Sequence, residues 1–349
     1  MRRLRAITRS GLLGCAALLA SCGGSEGTPP PVVVAPAPAP TPAPTPMPTP
    51  SATPAATGWS LVWADEFDGA AVDPARWNLI ADCWGGGNNE RQCYTARASN
   101  VSIENGALVI TARRESYTGS AWPAAWAATQ ADPDAQATRE YTSGKLTTQG
   151  KACWLFGKFE MRARLPQGQG TWPAFWMMPE ESHYGGWPLS GEIDIMEVVN
   201  LGVECPTCEP GGENSFLGTL HFGDRPPGNV YRNRETQFPA ALDGQFHTYG
   251  VIWQPGKFTW TIDGVPFGSL VTGDWWTAAS SAPQAPFDRP FHLILNLAIG
   301  GNWPESTALG GVSAEGFPKR MEIDWVRVWQ CGPGGTTQGG AGQDCTGGN

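Results

Sequence analysis

The heptapeptide FEMRARL at residues 159–165 decides the fold class of this 349-residue chain, because its apolar and polar side chains alternate with a period of two. In an extended strand, one face would hold Phe159, Met161, Ala163 and Leu165, and the other Glu160, Arg162 and Arg164. Similar segments recur along the chain, helical periodicity is nearly absent, and Asn105-Gly106 and Asp263-Gly264 stand between such segments as hairpin turns. The sequence therefore predicts an all-β domain, a β-sandwich of two antiparallel sheets packed face to face.

The beginning of the chain has the composition of an export signal. Residues 1–21 join four arginines to an apolar run at residues 11–20, which is too short to span a bilayer. Residues 19–22, LASC, resemble a bacterial lipobox, which implies cleavage before Cys22 and attachment of lipid to that cysteine. The alternative is an ordinary signal peptide cut nearby, with Cys22 incidental. We expect an exported protein, lipid-anchored to the cell envelope at the outer membrane or cell surface of a bacterium.

Composition divides the remaining chain into three parts. Residues 22–57 contain the lipidated cysteine and a linker of Pro, Ala and Thr, which favours extended polyproline II and acts as a stalk. Residues 58–331 are long enough for one large all-β domain. Residues 332–349 form a Gly-rich tail. No oligomerisation signal stands out, so we expect a monomer.

The charge of the chain restricts its partners. The formal net charge is −9, and loss of the four signal-peptide arginines leaves nineteen basic against thirty-two acidic residues, near −13. Such a surface would repel nucleic acids and sulfated or uronate polysaccharides. A neutral partner fits better, and contact with a membrane is expected through the lipid anchor only.

Seven of the nine cysteines remain once Cys15 leaves with the signal and Cys22 is assigned to lipid. Export favours disulfides, and spacing suggests local pairs, namely Cys83 with Cys93, Cys205 with Cys208, and Cys331 with Cys345. Cys153 is then free. The CPTC motif at residues 205–208 could also bind zinc or carry out redox chemistry, but no second such motif is present in the sequence.

Residues 191–197, GEIDIME, place three carboxylates on one short strand. Glu192 and Asp194 share a face by alternation, and a β-bulge at or near Met196 would bring Glu197 to the same face. Unpartnered burial of three carboxylates would be costly, so this face should line a cleft. Glycoside hydrolysis needs two such carboxyl groups. The alternatives are an exposed acidic strand or a site for calcium or magnesium.

Nine further segments, together with GEIDIME, resemble glycoside hydrolase family 16, specifically its bulged, laminarinase-like branch. They are WADEFDG at 63–69, NNERQCYT at 88–95, LVITARRE at 108–115, YTSGKLTTQGK at 141–151, TWPAFWMMP at 171–179, GTLHFG at 218–223, FHTYGVIW at 246–253, LILNLAIGGNWP at 293–304 and MEIDWVRVWQ at 321–330. The resemblance implies a jelly roll whose concave sheet carries the cleft. It implies an endo-acting retaining enzyme on β-1,3-glucan or mixed-linkage β-1,3-1,4-glucan, with no cofactor for catalysis.

The resemblance also implies the roles of the three acids. Glu192 matches the nucleophile, Glu197 the general acid and base, and Asp194 the acid between them. Three carboxyl groups this close cannot all ionise cheaply, so we expect one shared proton, held by Glu197 in the resting enzyme. Asp194 should hydrogen-bond Glu192.

Sugar recognition calls for aromatic faces and neutral polar groups, and the chain has seventeen tryptophans. Trp172 and Trp176 should share a face with Ala174, opposite Phe175 and Met177. Alternation and the resemblance together give nine candidate substrate contacts, for which core or turn roles remain open: Trp172, Trp176, Trp187, His221, Asn88, Asn89, Glu90, Asn296 and Trp303. His221 is expected to contact Glu197 or a sugar hydroxyl.

A structural calcium is implied by the resemblance at Glu66, the carbonyl of Gly106, and Asp324, since oxygen ligands suit that ion. Other functions remain open. Within the enzyme class they are an agarase, a carrageenase or a transglycosylase, and outside it a non-catalytic glucan-binding lipoprotein or a structural cell-wall protein.

Overall fold

The structure, a computed structural model, describes residues 58–204, 214–306 and 310–331. Seventeen strands are described: β1 (Trp59–Asp65), β2 (Asn78–Leu79), β3 (Gln92–Tyr94), β4 (Val101–Glu104), β5 (Ala107–Ser120), β6 (Gln136–Ser143), β7 (Lys145–Thr147), β8 (Gly157–Arg164), β9 (Thr171–Pro179), β10 (Glu192–Glu197), β11 (Ser215–Gly223), β12 (Asn229–Gln237), β13 (His247–Gln254), β14 (Lys257–Ile262), β15 (Val265–Val271), β16 (Phe291–Ile299) and β17 (Lys319–Cys331). The helices described are short, α1 (Ala124–Ala127), α2 (Asn302–Ser306) and a 3₁₀ turn at Pro239–Asp243.

These strands form two sheets. The ten-stranded sheet runs β15-β14-β13-β8-β17-β5-β6-β3, with β1 beside β17 and β4 beside β5. The seven-stranded sheet runs β12-β11-β10-β9-β16-β7-β2. The all-β sandwich predicted from alternation is therefore confirmed. One detail differs, because β3 pairs with β6 in parallel, whereas the other pairings between the described strands are antiparallel.

Alternation places the core between the two sheets. Phe159, Met161 and Ala163 on β8 are each 0% exposed, as the opening heptapeptide predicts. Facing them from the seven-stranded sheet are side chains such as Phe175 and Ile193, which belong to the same buried cluster. Because neighbouring residues point to opposite sides, the acids and tryptophans of β9 and β10 lie on the outer face of that sheet.

Two hairpin turns are formed by the dipeptides that predict them. Asn105-Gly106 joins β4 to β5, and Asp263-Gly264 joins β14 to β15. All four residues have positive φ, between 50° and 76°, which the two-residue turns favoured in hairpins require.

The Cys83–Cys93 disulfide is confirmed, and Cys153 is the free cysteine among the residues described. Cys331 is also disulfide-bonded. Cys22, the Cys205–Cys208 pair, Cys345, the signal, the linker and the tail lie outside the described residues. No helix of the described ranges is long and apolar enough to cross a lipid bilayer.

Candidate active site

The bulge in β10 brings its three acids to one face. Against β9, Asp194 pairs with Trp176 and Glu197 with Ala174, and the register shifts by one residue between Asp194 and Met196. The same shift appears against β11. Trp176 and Ala174 are two apart and share a face, so Asp194 and Glu197 also share one. The bulge predicted from the spacing of GEIDIME is thus present.

The bulge is supported from beneath by Trp260 on β14. Its indole Nε1 donates to the backbone carbonyl of Asp194 at 2.9 Å, and the ring is 0% exposed. Gly218, on β11 opposite the bulge, makes room for the ring, because a Cβ there would lie 2.1 Å from an indole carbon. A bulge interrupts the ladder, and this bond satisfies a buried carbonyl there.

Glu192, at the start of β10, is held by Trp187, whose Nε1 donates to Oε2 at 2.5 Å. The carboxyl groups of Glu192 and Asp194 also lie together, with oxygen atoms within 4.8 Å of each other, and the hydrogen bond expected between them stays a prediction. Burial, together with the charge of Asp194, raises the pKa of Glu192 to about 7. Gly191, which precedes it, has φ of 83°, and a Cβ there would lie 2.7 Å from Phe287.

His221 pairs with the central acid. Its Nε2 lies 3.2 Å from Oδ2 of Asp194, whose side chain is 3% exposed. Burial lowers the pKa of His221, but the bond to Asp194 and the charges of Glu192 and Glu197 outweigh it and raise the value to about 10. The sequence analysis expects a contact with Glu197 or a sugar hydroxyl, and the structure shows one with Asp194, because β11 places His221 opposite Glu192, at the other end of the strand from Glu197.

Glu197 lies at the far end of β10, where Nε1 of Trp172 donates to its Oε1 at 3.1 Å. Trp172 in turn packs edge-on against Trp303 of α2, with 5.4 Å between ring centroids. Burial and the charge of Asp194 raise the pKa of Glu197 well above its ordinary value. A raised pKa favours the protonated form of Glu197, and the shared proton expected on Glu197 stays a prediction.

A chain of hydrogen bonds extends from β9 toward β3. Trp176 Nε1 donates to Asn296 Oδ1 at 2.6 Å, Asn296 Nδ2 donates to the Tyr94 hydroxyl at 3.1 Å, and that hydroxyl donates to Glu90 at 3.1 Å. Glu90 and Asn296 are each 6% exposed. Glu90 thus anchors the buried end of the network, and Trp176, at the other end, is partly exposed.

Lys145, on β7, is a site residue that the sequence analysis did not single out. It pairs with Asn296 across the strands, and its Nζ lies 4.8 Å from the centre of a Trp176 ring. Burial lowers its pKa, while the charges of Glu90 and Asp82 oppose that shift. The sequence feature that could have identified Lys145 is its position in the segment SGKLT, where alternation puts it on the same face as Thr147.

Asn88 and Asn89 stand at one edge of this surface, on an exposed loop. Asn89 Nδ2 donates to Asn302 Oδ1 at 2.8 Å, and the Asn88 carbonyl accepts from the Asn302 amide at 2.7 Å. The loop is therefore fastened to the start of α2, one residue before Trp303. All nine candidate substrate contacts belong to the seven-stranded sheet, to the loops beside it or, for Trp303, to α2.

The predicted calcium ligands do not fit a cation site as they are placed. Both carboxylate oxygens of Glu66 accept from Arg327 at 2.8 Å, and this pairing lowers the pKa of Glu66. Asp324 is paired with Arg162 at 2.5 Å. Two guanidinium groups thus hold the carboxylates proposed for the ion.

A second grouping could in principle hold an ion, because ligand atoms of Glu192, Asp194 and His221 lie within 4.8 Å of one another. A histidine binds metal through a neutral imidazole. The raised pKa of His221 makes its ring an imidazolium at neutral pH, so a positive charge already occupies this position. The arrangement suits acid and base chemistry by carboxyl groups.

The chain is similar in sequence and in fold to known proteins. Residues 88–327 match the model of the glycosyl hydrolases family 16. The chain is 41% identical over 276 residues to a glucan endo-1,3-β-glucosidase of Cryptopygus antarcticus, covering 78% of this chain and 92% of the relative. The laminarinase structure from Rhodothermus marinus superposes with a TM-score of 0.64 at 37% identity, covering 79% of this chain and 98% of that one. A non-specific endo-β-1,3(4)-glucanase superposes at 0.60 with 36% identity, covering 80% and 94%. The jelly roll implied by the motifs is confirmed.

Proposed function

The chain belongs to glycosyl hydrolase family 16, and on that premise we propose that it is an endo-β-1,3-glucanase that acts with retention of anomeric configuration. The observation that carries the proposal is the outer face of β10, where Glu192 and Glu197 flank Asp194 and both have raised pKa values. Two carboxyl groups with different protonation states are what glycosidic cleavage requires. Catalysis in this family needs no cofactor.

In the first step, Glu197 donates its proton to the glycosidic oxygen while Glu192 attacks the anomeric carbon. The glycosidic bond breaks, the released chain leaves with the proton, and a glycosyl ester forms on Glu192. The hydrogen bond from Trp187 stabilises the carboxylate form of Glu192 before attack and again when the ester breaks.

In the second step, Glu197, now ionised, takes a proton from water, and the oxygen attacks the anomeric carbon. The ester bond breaks and Glu192 leaves as a carboxylate. Asp194 and the imidazolium of His221 balance the changing charge, since both lie within 4.8 Å of the Glu192 carboxyl group and His221 Nε2 is 3.2 Å from Asp194 Oδ2. Two inversions at one carbon return the β configuration.

The substrate we propose is neutral β-1,3-glucan of the laminarin type, with mixed-linkage β-1,3-1,4-glucan as a second substrate. Trp172, Trp176 and Trp303 supply partly exposed aromatic surface for the C–H faces of sugar rings. The excess of acid over base disfavours anionic chains. The similarity to a glucanase described as non-specific for β-1,3(4) linkages supports the wider range.

Measuring the reducing ends released from laminarin, lichenan and agarose tests the substrate assignment. Laminarin should be cleaved fastest and agarose not at all, and activity on agarose alone would replace the glucanase with an agarase. Glu192→Gln should remove hydrolysis and leave laminarin binding intact. A wild-type protein that binds laminarin without ever cleaving it would be a binding protein instead.

The roles of the two glutamates can be separated by azide rescue. With an activated β-glycoside, azide should attack the free anomeric carbon in Glu192→Gly and give the α-azide. In Glu197→Gly, azide should attack the glycosyl ester on Glu192 and give the β-azide. The opposite pattern would exchange the two assignments.

For location, the arginine-rich start and the LASC tetrapeptide support an exported lipoprotein held by Cys22, acting as a monomer on its stalk. Fractionation of cells grown with labelled palmitate tests this. The label should enter the wild-type protein, and Cys22→Ala should lose it together with membrane attachment. Label retained in Cys22→Ala would refute the anchor.

A further inference from the structure

The register of the seven-stranded sheet places Glu192, His221 and Tyr231 in one row across three neighbouring strands. Glu192 on β10 pairs with His221 on β11, and His221 pairs with Tyr231 on β12. Paired residues in an antiparallel sheet point to the same face, so Tyr231 faces the side of the catalytic carboxyl groups. Two strand spacings, roughly 10 Å, separate its backbone from that of Glu192.

Tyr231 is a large aromatic residue with little to pack against. It is 62% exposed on an edge strand, and its ring lies 5.7 Å from that of His221 at an angle of 40°. Within the described ranges, no hydrogen bond of its hydroxyl is found and His221 is its one ring contact. The side chain therefore contributes little to the core, and folding alone does not account for a tyrosine there.

Tyr231 is also not an isolated exposed ring. Trp187, 41% exposed, lies on His221 as well, with 6.0 Å between ring centroids, and it donates to Glu192. Three rings thus make a continuous surface that begins at the nucleophile and ends at the edge of the sheet. A row of aromatic and polar groups of this kind binds neutral sugars, whose C–H faces stack on rings and whose hydroxyl groups bond polar edges.

This surface lies opposite the one formed by Trp176. In the order of the sheet, β9 with Trp176 lies on one side of β10, and β11 and β12 lie on the other. An enzyme that cuts a polysaccharide within the chain must hold sugar units on both sides of the bond. Trp172, Trp176 and Trp303 serve one side, and the row of Trp187, His221 and Tyr231 is available to the other.

We propose that Tyr231 forms a subsite for a neutral glucosyl unit of the substrate, on the side of the catalytic strand opposite Trp176. The phenol ring stacks on the pyranose, its hydroxyl bonds the sugar, and His221 joins this subsite to the reacting bond. The inference rests on the proposed function, because it places one end of the glucan-binding cleft at Tyr231. Tyr231 acts on specificity and binding and takes no part in bond breaking.

The consequence is a dependence on chain length. Oligosaccharides long enough to reach Tyr231 gain a stacking contact, and shorter ones do not. Tyr231→Ala should raise KM for long β-1,3-glucan oligosaccharides roughly three- to tenfold, the range of one aromatic contact, and leave short ones unchanged. Because the productive register changes, the bond that is cut in an end-labelled oligosaccharide should shift as well.

The experiment compares kcat, KM and cleavage position over a series of β-1,3-glucan oligosaccharides. Tyr231→Phe keeps the ring and should keep most of the effect. Trp126→Ala removes another exposed aromatic residue, 46% exposed on α1 outside the seven-stranded sheet, and should behave like wild type. A Tyr231→Ala enzyme with unchanged KM and cleavage position at every length would overturn the subsite.

A binding measurement separates this inference from the proposed function. If wild type cleaved no β-glucan, the function would fail, and calorimetry with laminarin would still test Tyr231 in the Glu192→Gln background. Weaker binding on adding Tyr231→Ala supports the subsite, and equal binding overturns it. Thermal unfolding confirms that each variant is folded, which the exposure of the side chain leads us to expect.

Discussion

Replacing Glu192 with glutamine should stabilise the folded domain at neutral pH while it removes activity. The pKa of Glu192 is raised from 4.5 to about 7 by burial and by Asp194. Below pH 4.5 the group is protonated in both the folded and the unfolded chain and costs nothing. Between pH 4.5 and 7 the unfolded chain loses the proton first, so the stability of the wild type falls as pH rises.

The size of this effect follows from the shift. A difference of about 2.5 pKa units at 1.36 kcal/mol each gives about 3 kcal/mol of lost stability above pH 7. Glutamine carries no charge and can donate its amide to Asp194, so the variant avoids that loss. For a domain of this size the gain corresponds to a rise of roughly 6 °C in Tm.

Thermal unfolding of wild type and Glu192→Gln between pH 4 and 9 measures the effect. The two curves should coincide near pH 4 and separate progressively up to about pH 7. Glu66→Gln is the control with the opposite sign, because Arg327 lowers the pKa of Glu66 and the stability from that pair is present above pH 4.5. If Glu192→Gln were no more stable than wild type at pH 8, the raised pKa of the cluster would be refuted.

Three further substitutions probe the same site. Trp172→Phe removes the N–H that stabilises the Glu197 carboxylate, so the pKa of Glu197 should rise. The alkaline limb of the kcat/KM profile should then move to higher pH, and kcat/KM should fall roughly tenfold. An unchanged alkaline limb would show that this hydrogen bond does not stabilise the carboxylate. His221→Gln removes a positive charge that lowers the pKa of Glu192, so the acid limb, expected near pH 7 in wild type, should move upward, and a downward shift would contradict the electrostatics. Trp260→Phe leaves the Asp194 carbonyl at the bulge without its hydrogen-bond donor. The free energy of unfolding, measured in urea, should fall by about 1–3 kcal/mol, and kcat should fall as well. Full activity and stability would show that the bulge needs no such support.

Features that depend on strand parity could be predicted from the sequence. The face shared by Trp172 and Trp176, the buried row of β8 and the bulge between Asp194 and Glu197 all follow from a period of two and from one extra residue. The nine motifs identified the family as well, and with it the jelly roll that alternation alone did not distinguish from other sandwiches.

Features that depend on register between distant strands could not be predicted. His221 contacts Asp194 because of how β11 pairs with β10, and neither strand alone specifies that pairing. Trp260 reaches the bulge from the other sheet, sixty-six residues along the chain. Glu66 and Asp324 pair with Arg327 and Arg162, which lie far from them along the chain in each pair. The motifs that imply a calcium site do not reveal these ion pairs.

The stereochemistry of the first product tests the central claim most directly. Proton NMR, recorded during the first minutes of laminarin hydrolysis and before mutarotation, reports the anomer released by the enzyme. Double displacement through Glu192 predicts that the β-anomer appears first and the α-anomer follows by mutarotation. Initial release of the α-anomer would contradict the account, because it would mean a single displacement by water and no glycosyl ester on Glu192.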